Sequence, residues 1–117
     1  MKKILVIDDD RDLAETVETV LSGLYDVSIE TDNANIVNRC GEVMPDLIIL
    51  DNWIGQQDAA GILAELRLHA AFNNTPIVLF SGHPQVSVLA ASLHADAWLP
   101  KPFVLKDLYN CVNNLLN

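Results

Sequence analysis

Three stretches of the chain are apolar without interruption: Ile4-Leu5-Val6-Ile7, Leu47-Ile48-Ile49-Leu50 and Ile77-Val78-Leu79-Phe80. A run with no polar alternation can turn neither face to water. Each therefore predicts a strand of a parallel sheet covered on both sides by helices. A shorter alternating segment, Val27-Ser28-Ile29 within 26–31, predicts a strand nearer an edge, and Ala97-Trp98-Leu99 a short last strand. Between the strands the period lengthens to three or four residues, the spacing of one buried helix face. Leu13, Val17, Val20, Leu21 and Leu24 form the first such stripe, with Asp10 as N-cap and Gly23 as terminator. Ile36, Val37 and Cys40 mark a helix over 33–42, and Ile62, Leu63 and Leu66 one over 58–68. Val86, Leu89 and Leu93 mark 85–93, and Leu105, Leu108, Val112 and Leu115 mark 104–116. Residues 52–57 read as loop and 73–76 as a turn.

Strict strand–helix alternation at this spacing predicts one α/β domain over residues 1–117, a doubly wound parallel sheet with right-handed crossovers. With 117 residues, half of them hydrophobic, the chain supports a single core. It has no long apolar run and no signal peptide, so a cytoplasmic protein without a membrane segment is expected. Cys40 and Cys111 lack metal-type spacing and are expected as reduced, buried or half-buried thiols. The formal net charge is −9, from 16 acidic against 7 basic side chains, so direct nucleic acid binding is not expected. Asp8, Asp9, Asp10 and Asp12 cluster, which favours a divalent cation as partner.

In an open parallel sheet, chemistry collects at the C-terminal strand edge. That edge would receive Asp8 and Asp9 after the first strand, Asp51 after the third, Ser81 after the fourth and Lys101 after the fifth. Crowded carboxylates repel one another, and a hard divalent cation with oxygen ligands relieves this. Magnesium suits the set, because it accepts few protein ligands together with waters and a phosphate oxygen. A carboxylate can also act as nucleophile and form an acyl phosphate, whose charge a metal and an ammonium would neutralise. Each residue alone has a plainer reading: Asp8 and Asp9 as solvated helix-start acids, Asp51 as the opening of a polar loop, Ser81 as a turn residue, Lys101 as a surface lysine.

Four segments together resemble the receiver domain of two-component response regulators: residues 3–10, 45–51, 76–82 and 95–103. The resemblance spans the chain. It implies a flavodoxin-like (βα)5 fold with strand order 2-1-3-4-5, in which Asp51 accepts a phosphoryl group from a histidine kinase or histidine phosphotransfer protein. It further implies that Mg2+ is held by Asp8, Asp9, Asp51 and the Trp53 backbone carbonyl. Ser81 and Lys101 would contact the phosphoryl group, Lys101-Pro102 would be a cis peptide, and Ser81 with Trp98 would form the switch pair. The output would be a downstream protein target or a covalently linked domain, reached through the face formed by the fourth helix, fifth strand and fifth helix. Trp53 and His83, beside the pocket, would modulate phosphorylation rates. The loop after the acceptor departs from the family pattern: Gly55 stands where proline is usual, and Ala59 where glycine is usual.

Two other functions compete. One is a receiver-like interaction module that is not phosphorylated. The other is an aspartyl-phosphate hydrolase of the haloacid dehalogenase type, suggested by Asp8-x-Asp10; Asp12 breaks that motif, and the chain has no room for a cap domain.

Overall fold

The computed structural model describes every residue except Gly55, Gln56 and His83; of Asn33, Trp53, Ile54, Gln57 and Asp58 it describes the backbone alone. Five strands form the main sheet: β1 (Lys3–Ile7), β2 (Asp26–Glu30), β3 (Leu47–Asp51), β4 (Ile77–Ser81) and β5 (Ala97–Pro100). Five helices connect and close them: α1 (Arg11–Leu21), α2 (Ile36–Val43), α3 (Ala59–Leu68), α4 (Val86–Ser92) and α5 (Leu105–Leu116). All pairings in this sheet are parallel and the spatial order is β2-β1-β3-β4-β5. This is the doubly wound arrangement that the alternation predicts.

The three continuous apolar runs are the three central strands, and the pleat sorts their side chains. Leu5, Ile7, Ile48, Leu50, Ile77 and Leu79 face α2, α3 and α4. Ile4, Val6, Leu47, Ile49, Val78 and Phe80 face α1 and α5. All of these are buried, and full burial of such a side chain stabilises the fold by about 1.5–3 kcal/mol. The outer strands β2 and β5 are only partly covered, as their mixed patterns imply.

The register fixes where the strands stop. Ile7 lies beside Glu30 and Leu50, Asp51 beside Phe80, and Ser81 beside Pro100. Asp8, Asp51, Ser81 and Lys101 therefore leave the sheet at one edge.

Four local expectations change. Asp10 does cap α1, accepting the Leu13 N–H at 3.2 Å. The helix nevertheless ends at Leu21, and Gly23, just past the C-cap Ser22, does not take the left-handed conformation of a terminating glycine. Leu24 then lies beyond the helical register and is exposed, and Tyr25 is buried against the same cluster instead. Leu105 is also exposed, because the buried stripe of α5 runs through Leu108, Val112 and Leu116 and leaves the first turn outside it. Residues 52–57 are not simply loop: Trp53–Ile54 pairs antiparallel with Gln57–Asp58. Cys40 is buried and Cys111 half-buried, both as free thiols. Among the described residues, no helix is long and apolar enough to cross a membrane.

Candidate functional site

Asp8 is the residue at which β1 gives way to loop. Its backbone N–H is held by the Glu30 carbonyl at 3.1 Å, one step past the β1–β2 ladder. Its side chain is 1% exposed. One carboxylate oxygen accepts the Asp10 N–H at 3.0 Å, and the other faces the Lys101 ammonium at 2.9 Å. Asp10 thus ties the acid to the start of α1, beyond its role as cap. Asp9, beside it, is exposed.

Asp51 ends the central strand β3 and is 8% exposed. The Asn52 N–H bonds the Phe80 carbonyl at 2.9 Å, and the Asn52 carbonyl accepts the Ala59 N–H at 2.8 Å. These bonds fix the chain on the far side of Asp51. Ser81 is buried at the end of β4, and its carbonyl accepts the Lys101 N–H at 2.8 Å. Lys101-Pro102 is a cis peptide, as the resemblance implies. The Lys101 side chain reaches back over the edge, with Nζ 3.0 Å from Asp51 Oδ1 and 5.4 Å from the centre of the Phe80 ring. That aromatic support for the lysine carried no sequence signal, because Phe80 reads only as the last apolar residue of a buried strand. Phe103 packs on the same ring at 4.8 Å between centroids.

The electrostatics follow from one ammonium serving several acids. The Asp51 carboxyl is pushed up to about 6: burial raises it most, Asp8 and then Asp9 add to the rise, and Lys101 opposes it. Burial also pushes the Lys101 ammonium down, but hydrogen bonds to Asp8 and Asp51 outweigh this and its net shift is upward. The lysine is firmly charged, yet it does not fully compensate Asp51.

Asp8, Asp9 and Asp51 each offer a carboxylate oxygen within 4.8 Å of the others. An all-oxygen anionic set of this kind fits a hard divalent cation. The sequence-predicted residues Asp8, Asp9, Asp51 and Lys101 are thus brought together, with Ser81 at the end of the adjoining strand. Trp98 sits on β5 beside Leu79 and is 44% exposed. The Trp53 side chain and all of Gly55 and His83 lie outside the described residues.

The response regulator receiver domain family matches residues 4–113 of the chain. The transcriptional regulatory protein PrrA of Mycobacterium leprae (strain TN) is 36% identical over 118 residues, covering 97% of this chain and 49% of the relative. The response regulator MprA of Mycobacterium avium (strain 104) is 32% identical over 117 residues, covering 97% and 50%. The chain therefore spans about half the length of these curated relatives. A putative response regulator from Chloroflexus aurantiacus J-10-fl superposes with a TM-score of 0.89 at 26% identity, covering 98% of this chain and 97% of that one. The chemotaxis response regulator CheY4 of Vibrio cholerae shares the fold, with a TM-score of 0.90 at 22% identity and 99% coverage of both chains.

Proposed function

The chain belongs to the response regulator receiver domain family, and from that premise we propose that it is a phosphorylation-controlled switch whose phosphoacceptor is Asp51. The family is regulatory rather than catalytic. One observation carries the assignment: a buried carboxylate at the C-terminal end of the central strand, 3.0 Å from an ammonium and clustered with two further carboxylates. Residues 1–117 act as one receiver unit.

An Asp51 carboxylate oxygen attacks the phosphorus of a phosphohistidine on a histidine kinase or phosphotransfer protein. The O–P bond forms as the N–P bond breaks, and the imidazole keeps the electron pair. The attacking group must be ionised; with its carboxyl near 6, Asp51 is largely so at neutral pH. Lys101, already placed against Asp51, pairs with the transferred phosphoryl oxygens, and the Ser81 hydroxyl donates a hydrogen bond to them. Asp8, Asp9, Asp51 and the Trp53 carbonyl would hold Mg2+, which supplies charge neutralisation at the transferred group. Hydrolysis by water returns the carboxylate, so the chain catalyses only its own phosphorylation and dephosphorylation.

Ser81 and Trp98 lie on adjacent strands and form the relay. Drawing Ser81 toward the phosphoryl group makes room for the Trp98 ring, now at the surface, to turn inward and remodel the α4–β5–α5 face. The output is a protein target or a linked domain, and the chain works in the cytoplasm. Trp53 and His83 adjust the rates of phosphorylation and dephosphorylation.

Incubation with magnesium and phosphoramidate tests the assignment by intact mass. One added phosphoryl group is expected, absent in Asp51→Asn and in chelator. Phosphate retained by Asp51→Asn would refute it. A Trp98 fluorescence change with a phosphoryl analogue tests the relay; a response that survives Trp98→Phe would assign the signal to Trp53 instead.

A further inference from the structure

Lys101 and Asp51 leave the sheet from strands that are not neighbours. β4 lies between β3 and β5, so those two strands run about 10 Å apart. The four-carbon stem of Lys101 must cross the end of β4 to bring Nζ within 3.0 Å of Asp51 Oδ1 and 2.9 Å of Asp8 Oδ2. The residue it crosses is Phe80, which lies beside Asp51 on one side and Leu99 on the other. The Phe80 ring is 1% exposed, and Nζ stands over it at 5.4 Å. Phe103 packs on the same ring at 4.8 Å between centroids, so the ring is braced as well as buried.

Asp8, Asp51 and Phe80 hold the ammonium in different ways. The two carboxylates attract it most strongly in the metal-free chain, but both also belong to the cluster that fits a divalent cation. A cation bound there draws their charge away from Lys101. The ring is neutral, and no metal competes for it. The face of an aromatic ring carries negative potential and attracts an ammonium within about 6 Å. An aliphatic side chain at this position would fill the core without that attraction. The Lys101 side chain is 24% exposed, so water replaces only part of what the ammonium would lose.

We propose that Phe80 is a positioning residue for Lys101. Its ring keeps the ammonium over the pocket when a cation engages Asp8 and Asp51, and this raises the rate at which Asp51 takes a phosphoryl group. The effect on rate rests on the phosphoacceptor reading above; the hold on Lys101 does not.

The test compares the wild type with Phe80→Leu and with a protein carrying pentafluorophenylalanine in place of Phe80, which keeps the ring but reverses the charge on its face. NMR of the full chain reads the lysine directly. The Lys101 ε-methylene protons should be shifted upfield by the ring, stay so when magnesium replaces chelator, and lose the shift in Phe80→Leu. Amide spectra check that each protein is folded. Intact mass after phosphoramidate and magnesium gives the rate. It should fall by about threefold to tenfold in Phe80→Leu, the scale of a half-buried cation–π contact, and at least as far in the fluorinated protein. A fluorinated protein with the wild-type rate would overturn the proposal and leave Phe80 a packing residue. Lys101 protons that lose their upfield shift in magnesium would overturn it too. A wild type that keeps the shift but takes no phosphoryl group would refute the phosphoacceptor reading, and the effect on rate with it, while confirming the hold on Lys101.

Discussion

Carboxylates stand at both edges of the sheet, but they face different partners. At the edge where the strands begin, Asp46 accepts the Lys3 N–H at 2.8 Å, and Asp96 accepts the Ile77 N–H at 2.8 Å. Asp96 also pairs with Arg67 at 3.2 Å, and that arginine bonds three carbonyls of the loop before β4. Each acid there satisfies a strand-end donor that no other strand pairs. At the edge where the strands end, Asp8 and Asp51 turn toward each other and share Lys101. The first arrangement holds the fold together. The second costs stability, since burial and like charge both disfavour the ionised form of Asp51. A folded chain carries such a cost where charge is needed for chemistry.

This contrast can be broken from either side. The largest effect belongs to Lys101. Lys101→Met leaves two buried acids without their cation and should lower stability by about 3–5 kcal/mol in metal-free solution at pH 7. Urea unfolding measures it, and magnesium should restore part of the loss. Asp96→Ala should cost about 1–2 kcal/mol, because the Ile77 N–H loses its acceptor and Arg67 its counter-ion. Magnesium should leave that loss unchanged, which separates the two edges. Asp46→Ala should be the mildest, about 0.5–1 kcal/mol by the same unfolding experiment, since its bond to Lys3 is exposed.

The pH dependence of stability reports on Asp51 as well. The Asp51 carboxyl lies near 6 in the folded chain against an ordinary 3.8. Between those values the folded state binds more protons than the unfolded one. Its contribution to stability therefore falls as pH rises through this window, and the full cost persists above it. The upward shift, about two pH units, corresponds to about 3 kcal/mol at most.

Much of this was legible in the sequence, for physical reasons. A strand buried on both faces has no alternation, so β1, β3 and β4 announced themselves and their ends fixed Asp8, Asp51 and Ser81. Lys101 was legible because it follows the last strand between two prolines. Errors collected at helix ends: Leu24 lies past the end of α1 and Leu105 in the uncovered first turn of α5, though both fit their stripes by spacing. Gly23 looked like a terminator, yet the left-handed cap fell on Met44 after α2, at φ 50°. The short antiparallel pair after Asp51 has only two residues a side, too few for a period to show. The Phe80 ring beneath Lys101 depends on a contact between residues far apart in sequence, and no local pattern encodes that.

The measurement that bears most directly on Asp51 is urea unfolding of the wild type and Asp51→Asn at pH 7, first in chelator and then in magnesium. In chelator, the variant should be more stable, by up to about 3 kcal/mol. In magnesium, the wild type should gain more, by about 2.7 kcal/mol at a hundredfold excess over its dissociation constant, and the gap should close. A variant less stable than the wild type in chelator, with no difference in its response to magnesium, would contradict the account and make Asp51 a structural acid like Asp96.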